Sequence, residues 1–199
     1  MSPKLLRLAK STSGSTGFEF TLLLPLLLIL LLGFIDAGRF IWTINRAEKA
    51  TQMGVRFAVT TDMVASGLAS YTFTESGVLQ GQAIPISAFV GVTCTSTSCT
   101  NSGAGPAPGY STAAFTNIVN RMRLFMPEIR PENVSVAYDN SGLGYAGDPN
   151  GPDVTTLVTV RLSGVTFRPF STYVFFGPIQ LHAFESALTM EDGSGTVAN

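Results

Sequence analysis

The 199-residue chain has few of the side chains on which enzymes and metal sites are built. It contains one histidine, two cysteines and one tryptophan, and only 13% of its residues are charged. Serine- or cysteine-based catalysis would depend on His182, which lies on a predicted strand, and the chain has no Gly-x-Ser-x-Gly motif. No glycine-rich loop of the kind that cradles phosphate is present either. We therefore expect a non-enzymatic protein with no catalytic residue and no cofactor, in which His182 is structural.

The shortage of charge and of metal ligands excludes further classes. The chain carries 12 basic and 13 acidic side chains, whereas nucleic-acid binding relies on clustered lysine and arginine, so nucleic acid is not an expected partner. Two cysteines and one histidine are too few for an ordinary zinc site. Asp148, Asn150 and Asp153 offer oxygen ligands at a spacing that suits calcium. The twelve-residue calcium loop is incomplete and Asp-Pro-Asn-Gly favours a turn by itself, so calcium is the weaker interpretation.

What the chain does have is a long hydrophobic run near its start. Residues 20–35 contain no charged side chain and are rich in leucine. A bilayer core requires about 20 apolar residues, which the flanking positions complete, so we expect a transmembrane segment over residues 18–38. A helix with leucine on every side does not suit a soluble domain. Because Lys4, Arg7 and Lys10 precede the run, the positive-inside rule places the N-terminus in the cytoplasm and the rest of the chain outside.

The residues around the run do not fit an ordinary cleaved signal peptide. Asp36 stands where a small residue is needed for cleavage behind the run. In front of the run, a basic leader ends at Gly14, and Glu19 follows five residues later. This resembles the processing site of type IV pilin-like proteins with a class III signal, which a prepilin peptidase cuts after the glycine. The resemblance implies that residues 1–14 are removed, that Ser15 becomes the first residue, and that nine basic and thirteen acidic side chains remain.

Glu19 has two interpretations. An ionised carboxylate at the edge of hydrocarbon is costly and usually has a partner. In pilin-like families that partner is taken to be the N-terminal ammonium, commonly of a neighbouring subunit, so the resemblance implies that Glu19 sets the register of assembly. The alternative is an acid that interacts with the helix dipole, which contributes roughly 0.3 to 1 kcal/mol.

The helical pattern continues beyond the hydrophobic run. Apolar residues recur at helical spacing on an increasingly polar surface, at Phe40, Ile44, Ala47 and Ala50. We expect one helix from about residue 17 to about residue 65, roughly 70 Å long, which Pro25 bends without ending. The predicted organisation is a pilin-like helix over residues 15–66, an extracytoplasmic head over 67–190 and a flexible tail over 191–199.

Five pieces of this N-terminal region together resemble TadE-like proteins, which are components of tight-adherence (Tad or Flp) pilus systems. The pieces are Gly14, the pair Glu19-Phe20, Pro25, the group Asp36-Ala37-Gly38-Arg39 and the group Gly54-Val55-Arg56. They cover about 45 residues, and each piece alone is a weak signal. The resemblance therefore rests on their combination.

The resemblance implies a structural minor pilin or pseudopilin that takes part in assembly of a Tad pilus. The implied partners are the prepilin peptidase, the major pilin, other minor pilins, inner-membrane platform proteins and membrane lipid. The implied location is the bacterial inner membrane, with a single span and the head in the periplasm or outside, or else the cell-surface pilus. The alternative is a membrane-anchored adhesin or binding module that does not enter a pilus. The two differ in whether Gly14 and Glu19 matter.

The rest of the sequence predicts an α+β head with an antiparallel sheet packed on helix. A helix begins after Ser111 or Thr112, either of which can cap it, and Pro127 closes it. Alternating apolar residues predict strands over 134–138 and 154–162 that pair with each other, and a third strand over 182–190. Residues 66–110 predict loops with one or two strands.

Two further features belong to this head. Cys94 and Cys99, with four residues between them in a Thr/Ser-rich stretch, predict a disulfide that closes a short loop. The segment 167–181 is apolar, with Pro169 and Pro178, and resembles the hydrophobic segment between the last two strands of TadE-like proteins. Its aromatic residues also suit a membrane interface; these are Phe170, Tyr173, Phe175 and Phe176.

Overall fold

The N-terminal hydrophobic run forms one long helix, α1 (Ser15–Ala58), in a computed structural model that describes residues 15–149, 152–170, 177–193 and 195, with side chains from residue 17 onwards. The helix passes through Pro25 without ending, as predicted. It stops at Ala58, before the expected end near residue 65. The hydroxyls of Thr60 and Thr61 donate to the carbonyls of Arg56 and Phe57 at 3.1 and 2.8 Å, so side chains satisfy the last turn where the chain leaves the helix.

The chain divides into two compact units, and α1 contributes to both. The first unit contains residues up to Trp42 together with 167–179, and the second contains residues 43–166 and 180–199. In the first unit the apolar part of α1 is bare. Its most apolar 18-residue window has a mean hydropathy of 2.5, and none of that window is buried within the chain. By length and composition, this helix is able to cross a membrane.

The second unit is built on a five-stranded antiparallel sheet of β1 (Gly91–Cys94), β2 (Cys99–Asn101), β3 (Val134–Gly144), β4 (Val154–Leu162) and, after two short strands described below, β7 (Phe184–Thr189). The strand order is β2-β1-β3-β4-β7. β3 and β4 pair from Val134 opposite Leu162 to Gly144 opposite Val154, with a bulge after Asn140. The predicted pairing of these two strands is confirmed, and the third predicted strand pairs with β4 from Phe184 onwards.

Helices cover the sheet. A short helix, α2 (Ser66–Ala69), precedes α3 (Thr112–Arg123). Ser111 caps α3 as predicted, because its hydroxyl accepts from the Ala114 amide at 3.3 Å. α3 ends at Arg123 and not at Pro127, since the amides of Phe125 and Met126 both bond to the Met122 carbonyl and form a turn. α3 buries apolar side chains that include Phe115, Ile118, Val119 and Met122.

Residues 43–58 of α1 pack in the core of this second unit. Ala47, Ala50 and Ala58 are fully buried. A Cβ atom at Gly54 would lie 2.8 Å from Met122 Cγ on α3 and 3.3 Å from Val160 Cγ1 on β4. Glycine therefore lets α1 approach both elements closely. The expected α+β head, with an antiparallel sheet packed on helix, is confirmed.

Two further features of the fold bear on the sequence predictions. Short strands β5 (Thr166–Phe167) and β6 (Ile179–Gln180) form a separate two-stranded sheet that the sequence did not predict. Of the described residues of the predicted tail, Glu191, Asp192 and Gly195 are hydrogen-bonded. The amides of Glu191 and Asp192 bond to the Val59 carbonyl, and Gly195 exchanges backbone and side-chain bonds with Asp62.

Candidate functional site

The predicted assembly residues lie on the bare part of α1. Glu19 is on the second turn of the helix and is exposed, as are Phe20 and Pro25. The predicted processing site is only partly placed, because Gly14 lies outside the described residues and Ser15 is the first residue of the helix. A helix that exposes leucine on every side removes this surface from water only in lipid or against other helices.

Contacts within the chain do not explain why three positions of this stretch are glycine. A Cβ atom at Gly17, Gly33 or Gly38 would meet no atom within 4 Å. Glycine in a helix interior is less favourable than alanine by about 1 kcal/mol, so the fold of the single chain gains nothing from them. In lipid, small residues permit close approach of helices, and the glycines suit packing against a neighbouring helix.

A clamp is built on the last turn of the apolar stretch by the charged residues of the Asp36-Ala37-Gly38-Arg39 group. The Asp36 side chain is buried, and its Oδ1 accepts from the Phe170 amide at 2.7 Å and from an Arg39 guanidinium nitrogen at 3.2 Å. Arg39 also donates to the Arg168 carbonyl at 3.4 Å. We call Asp36 and Arg39, with the backbone of residues 168–170, the boundary clamp.

Aromatic contacts reinforce the boundary clamp. The Arg39 guanidinium carbon lies 4.0 Å from the centroid of the Phe170 ring and 5.4 Å from that of Phe167. Phe40 meets Phe167 edge to face, with 5.4 Å between centroids. A cation over an aromatic face contributes about 0.5 to 2 kcal/mol, and more as water is excluded. Sequence reasoning missed this clamp because its partners are 134 residues apart in the chain, although an acid directly after a hydrophobic run already calls for a partner.

The predicted disulfide is present between Cys94 and Cys99. The two cysteines face each other at the end of the β1-β2 hairpin, and the Thr95 amide bonds to the Ser98 carbonyl at 2.8 Å. The Tyr110 hydroxyl donates to the Ser96 carbonyl at 2.7 Å. Desolvation raises the pKa of the Tyr110 hydroxyl. The loop is therefore closed covalently and held from the side, as expected of a structural element.

The candidate calcium loop is organised by Asp153. This side chain is buried, and each of its oxygens accepts a backbone N–H, from Asp148 at 3.0 Å and from Phe73 at 2.6 Å. Asn150 lies outside the described residues. No group of three or more His, Cys, Asp or Glu side chains that suits a metal ion occurs among the residues that the structure describes. The geometry of Asp153 favours the turn.

A polar cleft of about 250 Å³ lies beside β7 in the second unit and contains the single histidine. Its lining includes Glu48, Gln52, His182 and Glu185. The His182 ring lies 4.3 Å from the Phe184 ring, and the Ser186 hydroxyl donates to Thr51 Oγ1 at 3.3 Å. His182 is exposed and contacts Phe184 on β7, and the structural role expected for it stays a prediction.

Comparison with known proteins finds a family match for the N-terminal part of the chain. Residues 14–56 match the family model described as TadE-like protein. No curated protein and no solved structure matches the chain. The match runs from the predicted processing glycine through the bare part of α1 and the clamp residues to the Gly54-Val55-Arg56 group. The resemblance predicted from the five sequence pieces is confirmed over these residues, and the head lies outside the match.

Proposed function

With residues 14–56 matching TadE-like proteins as premise, we propose that the chain is a minor pilin or pseudopilin that takes part in assembly of a Tad pilus. A prepilin peptidase removes residues 1–14, and α1 anchors the mature chain in the bacterial inner membrane. The role is structural and non-enzymatic. The observation that carries the proposal is the coincidence of the family match with a helix whose apolar surface is bare on all sides.

The exposed surface of α1 supports assembly as well as anchoring. A lone membrane anchor requires only an apolar surface, and leucine or alanine at Gly33 and Gly38 would serve it better than glycine. Glycines with open space beside them suit neighbouring helices, among which the major pilin and other minor pilins are the proposed partners. Platform proteins of the inner membrane are the other proposed partners.

Glu19 supports the same function. At the edge of hydrocarbon an ionised carboxylate is stable only with a compensating partner. Cleavage after Gly14 creates a new N-terminal ammonium four residues before Glu19, and that ammonium on a neighbouring subunit supplies the positive charge. Each subunit that docks then neutralises a charge at the membrane boundary.

The test is the N-terminal sequence of the protein purified from its native membranes, compared among wild type, Gly14→Ala and Gly17→Ala. We expect wild type and Gly17→Ala to begin at Ser15, because Gly17 is the matched control glycine on the other side of the cleavage site. Gly14→Ala should retain the full precursor. A wild-type chain that still begins at Met1 would overturn the proposal and favour a membrane-anchored adhesin or binding module with the same span.

A further inference from the structure

The boundary clamp fixes the backbone of Phe170 relative to the apolar part of α1. Asp36 is the first charged residue after the hydrophobic run of residues 20–35, and its carboxylate accepts from the Phe170 amide at 2.7 Å. Phe170 is therefore held at the level of Asp36. In a helix that spans the bilayer with residues 18–38, Asp36 lies in the last turn of the span, next to the boundary between hydrocarbon and headgroups on the far side from the N-terminus.

The clamp also explains how a carboxylate is tolerated at that level. Asp36 is only 7% exposed, and burying an unpaired charge is costly. Its Oδ1 has two donors from the same chain, one neutral and one positively charged. Asp36 thus carries its own compensation and can lie at the edge of lipid without a partner subunit.

Around the clamp the exposed side chains have the chemistry of a membrane interface. Phe170 is 51% exposed with the Arg39 guanidinium stacked on its ring, and Trp42 is 60% exposed. Trp42 follows Arg39 by three residues, so the two share a helix face. Aromatic rings and snorkelling arginines are the side chains that headgroup layers accept. We call Arg39, Trp42 and Phe170 the boundary patch.

The dimensions agree with this assignment. Trp42 is six residues beyond Asp36, or about 9 Å along α1 at about 1.5 Å per residue. A headgroup layer is about 5 to 8 Å thick on each side of the hydrocarbon, and an ordinary tilt of about 20° shortens the depth that a helix covers. Phe170 then lies at the inner edge of the layer and Trp42 at its outer edge.

We propose that the boundary patch binds the phospholipid headgroup layer of the bilayer that α1 spans, with Asp36 as the positioning residue that holds Phe170 against it. The inference rests on the membrane anchoring in the proposed function. It adds a second membrane contact, made by a segment far from α1 in sequence. The span sets the depth of the chain, and the patch holds residues 168–170 at the lipid surface beside α1.

The experiment uses depth-dependent fluorescence quenching on the full chain, reconstituted in phosphatidylcholine vesicles. Trp42 is the only tryptophan, so Trp42→Phe is a dark background for single reporters. Leu28→Trp reports the middle of the span and Phe170→Trp reports the patch, while the wild-type chain reports Trp42. Bromines at defined acyl-chain depths quench from inside the bilayer, and iodide quenches from water. We expect Leu28→Trp to lie deepest in the bilayer, followed by Phe170→Trp and then by Trp42. Iodide in the water should not quench the fluorescence of Phe170→Trp.

The reporters separate failure of the inference from failure of the proposed function. Lipid quenching of Leu28→Trp combined with free iodide access to Phe170→Trp would overturn the boundary patch and leave the anchor intact. Absence of lipid quenching at Leu28→Trp would overturn the anchor, and the patch with it.

Adding Asp36→Ala to the Phe170→Trp chain tests the positioning role. We expect iodide access to residue 170 to increase while Leu28→Trp stays at its depth. Asp36→Asn, which keeps an acceptor oxygen, should shift residue 170 less. An unchanged depth of residue 170 in Asp36→Ala would refute the role of Asp36.

Discussion

At the scale of single residues, Tyr138 shows how a buried polar group organises the second unit. The side chain lies on β3 and is fully buried, and its hydroxyl oxygen accepts from the Val64 amide at 2.9 Å. Val64 follows α1 and the turn after it, and its backbone N–H has no strand partner. The tyrosine hydroxyl therefore satisfies a buried donor that secondary structure does not. The alternation on β3 predicted that Tyr138 faces the core, but no local signal connects it with Val64, 74 residues away.

Replacing Tyr138 by Phe keeps the ring and leaves the Val64 N–H unsatisfied. We expect the free energy of unfolding to fall by about 1 to 3 kcal/mol, measured by denaturant titration of the full chain in detergent. Tyr145→Phe is the matched control, because Tyr145 is 61% exposed and surface changes alter stability by less than about 0.5 kcal/mol. Equal stability of Tyr138→Phe and wild type would show that the hydrogen bond does not contribute.

The same variant tests a pH dependence. Burial raises the pKa of the Tyr138 hydroxyl well above its ordinary value of 10.0. The folded state therefore holds this proton when the unfolded chain has lost it, and the associated stability is present below pH 10 and falls as the pH rises above it. Wild type should lose more stability than Tyr138→Phe between about pH 9 and about pH 11. Parallel pH profiles would contradict this.

At the scale of elements, glycines on α1 serve different purposes along one helix. Gly54 is enclosed by Met122 and Val160, while Gly33 has no atom within 4 Å of a Cβ position. Both lie in a helix interior, where alanine is favoured over glycine by about 1 kcal/mol. The intrinsic term is thus the same for the two positions, and only the surroundings differ.

The pair Gly54→Ala and Gly33→Ala isolates the effect of those surroundings. We expect Gly54→Ala to destabilise the chain by about 1 to 3 kcal/mol through overpacking against Met122, and Gly33→Ala to leave the second unit as stable as wild type. Thermal unfolding of the purified full-length variants in the same detergent gives both values. A Gly54→Ala chain more stable than wild type would mean that Met122 yields without cost and that the close approach is unimportant.

Local signals predicted elements well and long-range contacts poorly. Ser111 and the apolar spacing after it predicted α3, and the alternation on β3 and β4 predicted a strand pair. The position of β1 between β2 and β3 was not predictable from local sequence. Residues 91–94 pair with residues 136–139, and α3 lies between these two segments in the sequence. The early end of α1 depends on the side-chain bonds of Thr60 and Thr61, which compete with helix only in context.

At the scale of the whole molecule, one part of the candidate site follows from local sequence and another part from long-range contacts. The bare helix, Glu19 and the family resemblance follow from contiguous sequence, since hydrophobicity and motif spacing are local properties. The boundary clamp follows from folding alone, since Asp36 meets Phe170 only when the chain after β5 returns to α1 within the first unit. The proposed docking of Glu19 involves two subunits, so its test is an assembly experiment.

On the proposed assembly role, Glu19→Gln removes the charge and keeps the size of the side chain. Loss of one member of a desolvated charge pair costs about 2 to 5 kcal/mol, which is enough to block docking of a subunit. An acid that interacts only with the helix dipole contributes about 0.3 to 1 kcal/mol, so these two interpretations of Glu19 predict different outcomes. We expect Glu19→Gln to be cut normally before Ser15 and to reduce strongly the number of pili on cells that carry it as their only copy.

Pilus counts by electron microscopy, together with the N-terminal sequence of the variant, measure both steps. Glu75→Gln is the matched control, because Glu75 is an exposed acid in the second unit and its loss should change neither step. Normal piliation with Glu19→Gln would reduce Glu19 to a helix-terminal acid, because a subunit that docks without the carboxylate has no charge there to neutralise. Impaired cleavage would instead place Glu19 in recognition by the peptidase, before any subunit meets another.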